Sequence, residues 1–82
     1  MALVTERIEE NILYLELNGK IDSSNAAQAE EEIRAIKEAH PDLKSVLDAE
    51  HLEYLSSAGL RVILRMRKEA ADLKIINVSS EV

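Results

Sequence analysis

Apolar residues in the first half of this 82-residue chain recur first with the period of a β-strand and then with that of an α-helix. Leu13, Leu15 and Leu17 alternate with other residues, which is the period of a β-strand that buries one face. From Ser24 onwards, apolar residues at 26, 29, 33 and 36 recur at the spacing of one stripe of an α-helix. A short chain that contains both periods must pack a helix against a sheet, and its length allows one hydrophobic core.

The remaining segments extend this pattern. Residues 3–8 are predicted as a strand that a turn at 9–11 joins to the next strand, and Pro41 is expected to end the first helix. Further along, the patterns indicate a buried strand, a loop, a second helix and a last strand, at 43–48, 49–57, 59–71 and 73–78. We therefore predict one α/β domain over 1–82, with a small, mostly parallel sheet of four to five strands, one antiparallel edge and helices packed on it.

Both helices carry more detailed signals. Asn25 with Gln28 approximates a capping box at the start of the first helix. The inner stripe of the second helix is predicted from its apolar residues, namely Leu60, Ile63, Leu64 and Ala71. Residues 79–81 resemble the beginning of a further helix.

Composition excludes several classes of function. The chain has no Phe, Trp or Cys, so the core must be aliphatic, and disulfides and thiol chemistry are absent. A net charge of −6 argues against binding to nucleic acid, which needs a basic surface. Neither a transmembrane run nor a signal peptide is seen, so we expect no membrane association and a cytoplasmic location. Residues 1–57 are acidic and 58–82 basic, which suits steering of a protein partner but also fits ordinary solvated faces.

Two predicted loops, 18–24 and 49–58, follow the carboxyl ends of parallel strands, where sites of α/β proteins lie. Ser56 and Ser57 fall at the start of the second helix. A serine there can cap the helix, which is worth about 1 kcal/mol, or it can accept a phosphate that faces the free N–H groups of the helix. Arg61 is close enough in sequence to reach such a phosphate.

Catalytic and metal-binding interpretations are weak. A serine hydrolase that uses Ser57 and His51 would need a nucleophile-elbow sequence, which is absent. Asp22 and Asp48 could be imagined as a magnesium pair, but single carboxylates at strand ends more often form turns. No glycine-rich phosphate-binding pattern occurs. We expect a protein that is not an enzyme and has no cofactor or metal.

Four segments together resemble the successive blocks of STAS domains, with the greatest similarity to bacterial anti-sigma factor antagonists. They are Leu-Asn-Gly-Lys-Ile-Asp-Ser at 17–23, Val-Leu-Asp at 46–48, Leu-Ser-Ser-Ala-Gly-Leu-Arg-Val-Ile-Leu at 55–64 and Ile-Asn-Val-Ser at 76–79. The resemblance implies a regulatory binding module of bacteria. In that family the unphosphorylated domain binds an anti-sigma factor that is also a serine kinase, phosphorylation releases it, and a serine phosphatase resets the cycle; the resemblance implies the same for this chain.

The resemblance also implies which residues act. Matching the glycine and leucine of the family to Gly59 and Leu60 places the phosphorylated serine at Ser57. The predicted partner-binding residues are Asp22, Ser23, Ser56, Ala58, Gly59 and Arg61. Many phosphorylated members have Asp immediately before the serine, where this chain has Ser56. The alternative is therefore a STAS scaffold that is not phosphorylated and that holds a larger signalling or transport assembly together.

Family members continue with another amphipathic helix that packs on the sheet, whereas this sequence stops at Val82. We expect the C-terminal helix to be missing from residues 1–82 and some apolar surface to be left uncovered. Such a surface favours a homodimer or an exchange of segments between copies.

Overall fold

The computed structural model describes residues 3–70 and 73–78. The elements in chain order are β1 (Val4–Glu9), β2 (Ile12–Ile21), α1 (Ala26–Ala39), β3 (Lys44–Leu55), α2 (Ser57–Glu69) and β4 (Lys74–Ile76). The four strands form one sheet in the order β1-β2-β3-β4. β1 runs antiparallel to β2, and the other two pairings are parallel. The predicted α/β class and the mostly parallel sheet are confirmed.

The turn between β1 and β2 lies where the sequence predicts it. Glu10 and Asn11 have positive φ values of 51° and 66°. Two successive residues with positive φ are typical of a type I′ β-turn, whose twist matches that of the two antiparallel strands. Asn adopts positive φ more readily than most residues. β1 therefore folds back directly on β2 as the antiparallel edge.

The core lies between one face of the sheet and the two helices, and it is aliphatic as predicted. Leu13, Leu15 and Leu17 of β2 are at most 1% exposed, and Leu47 of β3 is fully buried beside them. The helices complete the core with Ala26, Ala29, Ile33, Val62, Ile63 and Met66. The alternation in β2 therefore identified the buried face correctly.

The predicted inner stripe of α2 is partly wrong. Ile63 is buried, but Leu60 and Leu64 are 46% and 54% exposed. The buried positions are Gly59, Val62, Ile63 and Met66. A helix with this many apolar residues has more than one stripe that could face the sheet, and contacts at its first turn decide between them. Ala71 lies outside the described residues.

The predicted loop at 49–57 is also wrong, because β3 continues to Leu55. The register against β2 shifts twice, between Glu16 and Asn18 and again between Gly19 and Lys20. Each shift places one extra residue in β3, and such bulges interrupt the strict alternation by which a strand is recognised.

Two other strands differ from the prediction in length. β2 reaches Ile21, further than predicted, whereas β4 is shorter than predicted. The predicted helix start at 79–81 lies outside the described residues.

A buried carboxylate, Asp48, lies on the sheet face opposite the helices and is 2% exposed. Its Oδ1 accepts hydrogen bonds from the backbone N–H of Glu50 and from Asn77 Nδ2, each at 3.0 Å. The guanidinium of Arg7 donates to its Oδ2 at 3.3 Å. Burial raises the pKa of Asp48, but the hydrogen bonds from Asn77 and Glu50 and the charge of Arg7 outweigh it, so the pKa lies below its usual value. One carboxylate thus joins β1, β3 and the residue after β4.

Candidate functional site

The carboxyl ends of β2 and β3 bring two polar segments together. Ile21 and Leu55 are paired at the ends of the two strands. Immediately after them, the N–H of Ser56 donates to the carbonyl oxygen of Ile21 at 2.9 Å. The loop 22–25 and the first turn of α2 are therefore neighbours, and we call residues 22–25 and 56–61 together the carboxyl-end surface.

Hydrogen bonds within the loop 22–25 fix its shape. Asp22 Oδ1 accepts from the backbone N–H of Ser24 at 2.9 Å and from its hydroxyl at 2.6 Å. Asn25 Oδ1 accepts from the N–H of Asp22 at 2.8 Å, and Asn25 Nδ2 donates to the carbonyl of Lys20 at 2.9 Å. Asn25 precedes α1, but its side chain does not cap the helix, so the predicted capping box is wrong. The Asn25 side chain instead bonds to the backbone of Lys20 and Asp22, which precede it in the chain. Gln28, the other residue of the predicted box, donates to Glu32.

The bonds to Asp22 lead to a prediction about pH. The hydroxyl and N–H of Ser24 stabilise the ionised form and lower the pKa of Asp22. An Asp whose folded-state pKa is depressed contributes stability above its unfolded-state pKa, about 3.9, and that contribution disappears as pH falls through the lower folded-state value. Carboxyl-carbon NMR titration of Ser24→Ala is expected to show the pKa of Asp22 rising. Ser23→Ala is the control and is expected to leave it in place; equal shifts in both variants would contradict the assignment.

The two serines at the start of α2 differ in what their hydroxyls do. Ser56 is the N-cap residue in extended geometry, and its Oγ accepts a hydrogen bond from the N–H of Gly59 at 3.3 Å. Ser57 is the first helical residue and is exposed. Its side chain makes no hydrogen bond within residues 3–70 and 73–78. The Ser56 hydroxyl is therefore engaged, while the Ser57 hydroxyl is accessible from solvent.

Gly59 allows α2 to approach the end of β2. A Cβ atom at this position would lie 2.5 Å from Leu55 Cδ1, 3.0 Å from Ile21 Cγ2 and 3.2 Å from the carbonyl oxygen of Ile21. The last of these is backbone and cannot move away by rotating a side chain. This close contact presses the first turn of α2 against the sheet, and it helps to place Leu60 on the outside.

Gly59→Ala is expected to lower the free energy of unfolding, because overpacking costs about 1–3 kcal/mol. The higher helix propensity of alanine opposes this by about 1 kcal/mol, so we expect a net loss of roughly 1 kcal/mol. Urea unfolding followed by circular dichroism measures it. A variant more stable than the parent would show that the first turn of α2 has room for a side chain.

The other predicted site residues occupy different positions. Ser23 and Arg61 are exposed on the carboxyl-end surface, and Ala58 is half-buried there. His51 lies in β3 and lines a separate cleft with Asn18, Gly19, Lys20, Glu50 and Glu53. Asp48 is held by Arg7 and Asn77 instead of facing Asp22. Within residues 3–70 and 73–78, no group of three His, Asp or Glu side chains is placed to hold a metal ion.

An apolar groove lies beside Ser57, at a position that the sequence patterns do not indicate. The groove has a volume of about 410 Å³ between α2 and the sheet. Its lining includes Leu52, Leu55, Ser57, Leu60, Ile63, Ile75 and Val78. Val78 is 53% exposed at the groove. One sequence feature could have indicated the groove: α2 has more apolar residues than a single buried stripe of a helix requires.

A family model for the STAS domain matches residues 4–82. The chain belongs to the STAS domain family. BtrV of Bordetella bronchiseptica (strain ATCC BAA-588 / NCTC 13252 / RB50), a candidate anti-sigma factor antagonist, is 39% identical over 69 residues. That match covers 84% of this chain and 58% of BtrV. The STAS chain described here therefore spans less than two thirds of the length of this relative.

Two solved structures share the STAS fold of this chain. An anti-sigma factor antagonist from Mycobacterium paratuberculosis superposes with a TM-score of 0.74 at 20% identity, covering 88% of this chain and 63% of the other. The crystal structure of Mglu gives a TM-score of 0.74 at 18% identity, covering 98% of this chain and 21% of the other. At identities of 20% and 18%, these similarities show a shared fold and nothing more specific.

In the described part of the chain, neither helix has the length and apolar character needed to cross a membrane.

Proposed function

We propose that this STAS domain is an anti-sigma factor antagonist, a binding module and not an enzyme. It binds an anti-sigma factor that is also a serine kinase, and phosphorylation of Ser57 ends the complex. A serine phosphatase then restores binding, and the cycle takes place in the cytoplasm. Support for the general role comes from BtrV and from the M. paratuberculosis structure, since both are described as anti-sigma factor antagonists.

The observation that carries the assignment of Ser57 is the difference between the two serines. The hydroxyl of Ser56 already accepts the hydrogen bond that caps α2. Ser57 is exposed one residue later, beside the loop 22–25, where a partner can reach both segments. The proposed binding surface is therefore the carboxyl-end surface, with Asp22, Ser23, Ser56, Ala58 and Arg61 around Ser57, while the buried Gly59 holds the first turn of α2 against the sheet.

A phosphate on Ser57 is compatible with the fold. It would lie at the N-terminus of α2, where free N–H groups and the helix dipole favour negative charge. It would also add about −1.5 to −2 charges to a surface that the partner must cover. The domain is thus expected to stay folded while the complex dissociates.

The test is to incubate the purified chain with ATP and a lysate of its source organism and to map phosphate by fragmentation mass spectrometry. Ser57→Ala is expected to abolish the modification, and Ser56→Ala, the matched control, is expected to keep it. Pull-down with each form then identifies the bound proteins, and the unphosphorylated chain is expected to retain a serine kinase. Phosphate on Ser56, or on neither serine, would contradict the proposal and favour the STAS scaffold that is not phosphorylated.

A further inference from the structure

The exposed face of α2 combines apolar and positively charged side chains. Leu60 and Leu64 are 46% and 54% exposed on this face. Arg61 and Lys68 are exposed beside them, and neither makes an ion pair within residues 3–70 and 73–78. Arg65, by contrast, is held by Glu30 of α1. This face therefore offers apolar contact area together with two positive charges that have no partner of their own among the described residues.

The exposed face of α1 has the opposite character. Its exposed residues are Ala27, Gln28, Glu31, Ala35, Glu38 and Ala39. At 3.6 residues per turn they fall within about 120° of the helix circumference, so they form one continuous stripe. Glu31 and Glu38 make no ion pair in the described part of the chain. The alanines allow another helix to approach closely, and the two carboxylates give the stripe a negative charge.

These two faces match in charge and in spacing. Glu31 and Glu38 are seven residues apart, as are Arg61 and Lys68. Both pairs are therefore separated by about 10.5 Å along their helix axes. When the two helices lie antiparallel, Glu31 meets Lys68 and Glu38 meets Arg61. Leu64, which lies between the two cations, then packs against Ala35, which lies between the two carboxylates.

We propose that this chain self-associates head to tail, with the α1 face of one copy docked on the α2 face of the next. The two faces cannot meet within one molecule, because α1 and α2 pack side by side through the Arg65–Glu30 and Arg34–Glu69 pairs. A contact between unlike faces produces rings or open chains instead of a closed two-fold dimer. Ser57 lies one turn before Arg61 on α2, next to the contact.

Sedimentation velocity and light scattering on the 82-residue chain test the contact without any kinase. The average mass is expected to rise with concentration beyond that of a dimer. Raising NaCl from about 50 mM to about 500 mM is expected to weaken association about tenfold, because salt screens exposed ion pairs. A monomer at every concentration, or association that salt strengthens, would overturn the proposal.

Charge exchange between the two faces gives the sharpest test. Glu31→Lys with Glu38→Lys makes both faces basic, and Arg61→Glu with Lys68→Glu makes both acidic. Each double variant alone is expected to be monomeric, with the circular dichroism spectrum of the parent. An equimolar mixture is expected to associate again, because every contact then joins an acidic face to a basic one. If the Glu31→Lys, Glu38→Lys variant associates as the parent does, the contact joins two α2 faces through the apolar groove and the proposal is wrong.

Discussion

Replacing Asp48 with alanine is expected to lower the free energy of unfolding by about 1–3 kcal/mol, since the substitution removes a buried carboxylate that accepts three hydrogen bonds. Asn77 and the N–H of Glu50 would lose their acceptor, whereas Arg7 would keep Glu9, to which it donates at 2.7 Å. A small domain has a total stability of about 5–15 kcal/mol, so this loss is a large share of it. Urea unfolding followed by circular dichroism measures the effect.

Two further variants make the Asp48 result specific. Glu53→Ala removes an exposed carboxylate from the same strand and is expected to change the stability by less than about 0.5 kcal/mol. Asp48→Asn preserves the shape but removes the charge. The pKa of Asp48 is depressed in the folded state, so its ionised carboxylate contributes fully to the free energy of unfolding above an unfolded-state pKa of about 3.9. This contribution is lost as pH falls through the folded-state pKa. The Asn variant should lack this part of the acid dependence; an unchanged pH profile would refute the role of Asp48.

Phosphorylation of Ser57 is expected to lower affinity for the proposed anti-sigma partner by at least about a hundredfold, which corresponds to roughly 3 kcal/mol. The phosphate would have to be desolvated at the interface, and it would repel acidic groups that face it. Titration calorimetry of the phosphorylated and unmodified chains measures the change. Circular dichroism should show the same fold in both, because the phosphate lies at the helix N-terminus.

Variants separate this effect from a loss of structure. Ser57→Ala is expected to bind as the parent does and to resist release, while Ser57→Asp is expected to bind more weakly because it carries part of the charge. Ser56→Ala loses the cap of α2 and about 1 kcal/mol of stability, yet it should still bind. Equal affinities of the phosphorylated and unmodified chains would show that Ser57 does not control binding.

Local patterns were sufficient to predict much of the fold. The alternation of Leu13, Leu15 and Leu17 identified the buried face of β2 because side chains of a strand point to opposite faces in turn. The order of strands and helices predicted a mostly parallel sheet, since a short crossover connection leaves few other arrangements. The position of Ser56 and Ser57 at the start of α2 was likewise readable from the sequence.

Other features depend on contacts between residues that are distant in the sequence. The close approach of Gly59 to Ile21 rotates α2 so that Leu60 faces outwards, although its hydrophobicity alone predicts burial. The last part of β3 has a sequence that resembles a loop, because two bulges interrupt the alternation of apolar and polar residues. These residues nevertheless form a strand, since they pair with β2. Asp48 is buried among donors from three parts of the chain, which no spacing of residues around position 48 indicates. Periodicity therefore reveals which elements form, whereas the rotation of a helix, the register of a bulged strand and the partners of a buried charge are decided by tertiary packing, because each depends on atoms that the fold alone brings into contact.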